Sequence, residues 1–128
     1  MNDIKVIRFD NLHDIELPHV FECGQCFRWN ECEDGSYIGV AGGHAAHVSL
    51  EHDGDSCSLI IECTGGSEKY WHSYFDLDTD YGAMKKALLA GEPKLAKSID
   101  VCHGIRILNQ DYWEVLISFI VSQNNNIP

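Results

Sequence analysis

The stretch "EDGSYIGVAGGHAAHVSLEHDGDSCSLIIECTGG", residues 33–66, decides how the first half of this chain folds. Four turn pairs punctuate it: Asp34-Gly35, Gly42-Gly43, Asp53-Gly54 and Gly65-Gly66. Glycine supplies the positive φ that tight hairpin turns require, and the segments between the turns alternate in polarity, with Val48 and Leu50 two residues apart. The spacing predicts an antiparallel meander with strands over 37–41, 44–51 and 56–63. Upstream, residues 26–32 read as a short aromatic strand, and a strand around 4–9 is expected at an edge.

After Gly66 the apolar period lengthens. Tyr70, Trp71, Tyr74 and Phe75 recur at helical spacing, which predicts a helix through "SEKYWHSYFD". Asp80 can cap a second helix carrying Tyr81, Met84, Ala87 and Leu88 on one face, with Gly91 as its stop. Pro93 suits the first turn of a third helix running to about Asp100. Asp111 caps the last helix, and Glu114 stands three residues on, as in a capping box. From Tyr112 to Val121 that helix is apolar almost all round, so it is expected to be buried on every side. Sheet and helices already present can cover about half of it; further protein or a second copy is expected to cover the rest. Strands first and helices after give an α+β fold, an antiparallel sheet packed with helices.

Composition sets outer limits. The chain has 128 residues, enough for one domain, in which folding buries roughly two-thirds of the unfolded surface. Its formal charge is −11, which repels phosphate backbones and, taken alone, argues against nucleic-acid binding. The first twenty residues mix charged and apolar side chains and do not read as a signal peptide. No run approaches the roughly 20 apolar residues of a membrane span. No membrane partner and a cytoplasmic location are therefore expected.

Six cysteines are read as reduced thiols, with Cys57 and Cys63 on a strand. Cys23-Gly-Gln-Cys26 is a C-x-x-C, yet a zinc site needs a second pair, and a redox pair normally opens a helix. His44 and His47 fall on opposite faces of a strand and show no ligand spacing. No cofactor and no metal ligands are assigned.

Two segments taken together are specific. "CGQCFRW" (23–29) and "GIRILNQDYWEVLISFIVSQNNNI" (104–127), with "YFDLDTDY" (74–81) between them, resemble the 8-oxoguanine DNA glycosylase family. That family carries G-Q-[small]-F-R-W, then G-[apolar]-R-[apolar]-L-x-Q-D, an apolar helix and an asparagine triplet before isoleucine. The resemblance runs in the right order across the whole chain. It implies a twisted antiparallel sheet with flanking helices, related to the TATA-binding protein, over 1–108. Residues 109–128 would be the first helix of a helical catalytic part that carries a helix-hairpin-helix, a lysine nucleophile and an aspartate. The chain is expected to be the N-terminal domain alone, without those parts, and inactive by itself as a bifunctional DNA N-glycosylase/AP lyase.

The resemblance also implies site residues. Gly24 matches the glycine whose carbonyl accepts N7–H of 8-oxoguanine, where normal guanine offers only a lone pair. Asn124 matches the residue that contacts the estranged cytosine, and Asn125 and Asn126 would line the junction with DNA. The implied partner is double-stranded DNA holding 8-oxoguanine; the basic surface that offsets the charge of −11 would lie mainly in the other half of the enzyme. Gln25, Phe27, Arg28 and Trp29 are expected to be scaffold, with Arg28 anchoring Glu22 or Glu31. Many relatives carry Ser at Cys26, a small-for-small exchange. Two rival readings remain: a metal or redox module on Cys23 and Cys26, and a protein-interaction domain that associates through its last helix.

Overall fold

The computed structural model describes residues 3–123. Among them, five strands form one antiparallel sheet: β1 (Lys5–Leu12), β2 (Trp29–Glu31), β3 (Tyr37–Ala41), β4 (His44–Asp53) and β5 (Ser56–Cys63). The order across the sheet is β1-β5-β4-β3-β2, so β1 is an edge strand, as expected. The three hairpins from β2 to β5 join at residues 32–36, at Gly42-Gly43 and at Gly54-Asp55, which is where the turn signals stand. Gly42, Gly43 and Gly54 all have positive φ.

One face of the sheet is the core. Val48 lies opposite Ile61, Leu50 opposite Leu59 and Ala46 opposite Cys63, while Ile7 lies opposite Ile61 from the other side. Ile7, Val48, Leu59, Ile61 and Cys63 are buried. Cross-strand pairs of this type are the unit of sheet stabilisation. Trp29 lies opposite Gly39, and a side chain there would bring its Cβ within 2.5 Å of the Trp29 indole. Gly39 thus leaves room for the indole against the strand.

Two short helices close the core, α1 (Leu17–Phe21) and α2 (Glu68–Tyr74). Phe21 of α1 stacks on Trp29 at 4.6 Å between ring centroids and meets Phe75 edge-on at 6.1 Å. Trp71 and Tyr74 of α2 are buried, and Trp29 Nε1 donates to the Tyr74 hydroxyl over 2.9 Å. Ser67 caps α2 by accepting the Tyr70 N–H. Then come α3 (Tyr81–Gly91), a 3-10 turn (Pro93–Leu95), α4 (Ala96–Val101) and α5 (Tyr112–Ser122).

Several expectations need correction. The strand expected over 26–32 is only Trp29–Glu31, because residues 22–28 make an irregular connection after α1. Helix α1 itself was not foreseen; it has five residues and no side-chain cap. Helix α3 does end at Gly91 as expected, but its expected apolar face is only partly covered: Met84 and Leu88 are half exposed while Tyr81 is buried. Helix α5 agrees with the expectation that this chain covers only part of it. Tyr112, Trp113, Leu116 and Ile120 are more than half exposed, so within this chain the helix is covered on one side only. No helix among the described residues is long and apolar enough to cross a membrane.

Candidate nucleic-acid interface

The two motif segments are joined by hydrogen bonds. Gln25 reaches from the connection after α1 into the strand-like run 105–110. Its side-chain amide donates to the Val20 carbonyl at 2.8 Å and to the Arg106 carbonyl at 2.7 Å. Its side-chain oxygen accepts the Leu108 N–H at 2.9 Å. In return Gln110 Nε2 donates to the Gln25 main-chain carbonyl at 2.6 Å. Both amide donors of Gln25 are used, so its orientation is fixed.

Gly24 stands beside this clamp, exposed, with φ of +91°. A Cβ there would meet nothing within 4 Å. Space therefore does not demand glycine; the left-handed backbone does. Among the described residues no hydrogen bond reaches the Gly24 carbonyl.

The run 105–110 is held from its other flank as well. Asn109 N–H donates to the Tyr74 carbonyl at 2.9 Å, and Asn109 Nδ2 donates to the Ser73 carbonyl at 2.7 Å, at the end of α2. Arg106 is buried. It donates from Nη1 to Asp76 O and from Nη2 to His13 O, each at 2.8 Å, and stacks over the Tyr81 ring at 4.6 Å. Burial lowers its pKa, while the partly negative carbonyls and the ring face it meets replace some of its lost hydration. Arg106 is thus a tie between elements and is unavailable to a phosphate.

Helix α5 starts from this run. Asp111 Oδ1 accepts the Glu114 N–H at 3.0 Å, the expected cap. The capping box is half formed, for Glu114 turns away to accept the Gly42 N–H at 3.1 Å and to pair with Arg28 at 3.2 Å. Arg28 was expected to pair with Glu22 or Glu31; the irregular connection aims it at α5 instead. Phe27 packs edge-on against Phe119 with 5.8 Å between centroids. The glycine loop and the C-terminal half of α5 therefore share one side of the molecule. Asn124, Asn125 and Asn126 lie outside the described residues. Of the twenty acidic residues in the chain, only Asp111 and Glu114 fall in the segments 23–29 and 104–127. Both are engaged locally, so the net charge of −11 arises elsewhere.

The cysteines are free thiols. Cys26 is pushed up to about 12 by burial and by its neighbour Cys23. That is opposite to the depressed pKa of a redox C-x-x-C. The two sulfurs point to carbonyls of α1, Cys23 to Val20 and Cys26 to Phe21. The sheet does assemble one group of ligand types that spacing did not reveal: Cys32, Asp34 and His47, on the β2–β3 turn and β4. The Ser36 hydroxyl stands between them, 2.7 Å from His47 Nε2 and 2.5 Å from Asp34 Oδ1, so this group closes a turn.

Comparison with known proteins agrees with this arrangement. The family model for the 8-oxoguanine DNA glycosylase N-terminal domain matches residues 7–116. The chain is 26% identical over 117 residues to the N-glycosylase/DNA lyase OGG1 of Arabidopsis thaliana, covering 89% of this chain and 32% of that protein. It is 30% identical to the N-glycosylase/DNA lyase of Saccharomyces cerevisiae, covering 91% of this chain and 34% of that protein. Among solved structures, MBOgg1 in complex with a low-affinity DNA ligand superposes with a TM-score of 0.85 at 45% identity, over 98% of this chain and 44% of that one. The Clostridium acetobutylicum 8-oxoguanine glycosylase/lyase, in complex with double-stranded DNA containing cytosine opposite 8-oxoG, superposes at 0.78 and 39% identity, over 100% and 45%. The chain thus spans about a third of the length of the curated relatives and less than half of the solved ones.

Proposed function

We propose, from the premise that this chain belongs to the 8-oxoguanine DNA glycosylase family through its N-terminal domain, that it is the base-reading part of a DNA N-glycosylase/AP lyase that excises 8-oxoguanine opposite cytosine. The observation that carries the reading is the junction of the two motif segments at Gln25, beside an exposed Gly24 whose carbonyl has no hydrogen-bond partner among the described residues.

A base cannot be attacked inside the stack, so the damaged nucleotide is extruded and read in a pocket. The Gly24 carbonyl accepts N7–H of the oxidised base. Ordinary guanine presents a lone pair at N7, and carbonyl against lone pair leaves both unpaired. A buried polar group without a partner costs about 1–3 kcal/mol, which sets the scale of discrimination at this atom. The cytosine left behind needs substitute hydrogen bonds, and Asn124 offers a donor and an acceptor in one amide. Asn125 and Asn126 line the same junction.

The bond-breaking group belongs to the rest of the enzyme. There a lysine amine attacks C1′, the glycosidic bond breaks, and the resulting Schiff base permits strand cleavage. The exposed face of α5 docks against that helical part. On its own, the 128-residue chain is expected to excise nothing and to bind duplex weakly, given its charge of −11. Borohydride treatment with an 8-oxoguanine:cytosine duplex should trap a covalent adduct with the full-length protein and none with this chain. A trapped adduct on the isolated chain would overturn the assignment.

A further inference from the structure

We infer that Gln25 and Gln110 are positioning residues for lesion discrimination: together they fix the direction of the Gly24 carbonyl. The inference deepens the proposed function and rests on its reading of Gly24.

A glycine at positive φ in an exposed loop has no intrinsic reason to hold one orientation. Gly24 has no side chain to anchor it, and Cys23 is exposed. Peptide planarity transfers the task to the next residue. The Gly24 carbonyl lies in one plane with the nitrogen and Cα of Gln25, so whatever holds Gln25 holds that carbonyl. Four hydrogen bonds of 2.6–2.9 Å do so. Three come from the side-chain amide and fix the Cα through the side chain. The fourth, from Gln110, holds the following peptide, so both planes that meet at Gln25 are set. Three of the four span more than eighty positions of sequence and end on residues 106–110, which are tied in turn to α2. The loop is oriented chiefly by the body of the domain, with one further bond to Val20 of α1.

Selection between N–H and lone pair at one atom needs an acceptor held in place. A displacement near 1 Å of a positioning group can cost on the order of a hundredfold in rate. Gln25 cannot be exchanged for its isostere on this argument. Glutamate keeps the acceptor for Leu108 but has no donor for Val20 and Arg106, and it sets a carboxylate against both carbonyls. Gln110→Met keeps the length of the side chain and removes one donor.

The test uses the full-length protein and two duplexes, each opposite cytosine. One holds 8-oxoguanine; the other holds its analogue with carbon in place of N7, which lacks the N–H. Relative single-turnover rates give a discrimination ratio. The wild-type protein should favour 8-oxoguanine. Gln110→Met and Gln25→Glu should lower the ratio by about tenfold or more, through the 8-oxoguanine rate alone. Loss of folded protein would slow both duplexes equally and leave the ratio untouched. Gln110→Met, which removes a single bond, serves should Gln25→Glu fail to fold. If the wild type discriminates and Gln110→Met keeps the full ratio, the positioning role is overturned while Gly24 stands. If the wild type itself shows no preference, the Gly24 reading falls and this inference falls with it.

Discussion

Cys26 shows how little a motif says without its surroundings. Its thiol is pushed up to about 12, first by burial and then by Cys23. Neutral sulfur is the nonreactive form, so iodoacetamide at pH 8 should label exposed Cys23 well before Cys26, by mass spectrometry of digested protein. The same shift has a consequence for stability. A thiol whose folded pKa exceeds its unfolded value near 8.5 contributes stability that is complete below that value and lost as pH rises toward about 12. Burial also raises the pKa of Tyr74, which acts in the same direction. Urea midpoints should therefore fall between pH 8 and pH 10.5, and Cys26→Ser should lessen the fall. At Gly39 the constraint is steric. Gly39→Ala would drive a methyl into the Trp29 ring, at a cost of about 1–3 kcal/mol or more, read as a lower thermal midpoint. The two motifs together single out Gly24 as the candidate glycine; the partners of Gln25 carry no such mark, because nothing local signals a bond to a residue eighty places away.

At the scale of elements, the strands were easier to foresee than the helices. Turn glycines mark hairpin ends directly, and β3 and β5 begin and end where the turn pairs placed them. Helix α1 left no such mark: five residues are too few to show a period, and Glu16 before it makes no side-chain cap. Arg28 departs from its expected partners for a related reason. As a strand residue it would meet a local carboxylate; in an irregular connection it reaches Glu114 of α5. That pair is partly exposed and worth about 0.2–1 kcal/mol. The cap of α5 matters more. Asp111→Ala removes the acceptor for the Glu114 N–H and should cost about 1 kcal/mol. Hydrogen exchange should then speed up at α5 amides and leave the protection of β4 and β5 unchanged.

For the molecule as a whole, periodicity correctly gave an α5 apolar on every side but could not name what covers it. In this chain Trp113, Leu116 and Ile120 are more than half exposed on that helix. Contiguous apolar surface of this type seeks a partner. At rising concentration the isolated chain should self-associate by sedimentation velocity, and Leu116→Glu with Ile120→Glu should return it to a monomer. Because both side chains face outward, the far-ultraviolet spectrum of the sheet should not change.

The clamp at Gln25 also sets a timetable. Sheet strands β2 to β5 are neighbours in sequence, with short hairpins that close quickly, whereas the bonds from Gln25 to residues 106–110 close a loop of more than eighty residues. During synthesis from the N-terminus, the meander can assemble while the glycine loop still lacks its anchors. The loop takes its shape only once residues 106–110 have left the ribosome. A nascent chain halted before Gly104 would thus carry a finished sheet and an unfinished glycine loop, so that the part of the protein made early learns its final geometry from a part made late.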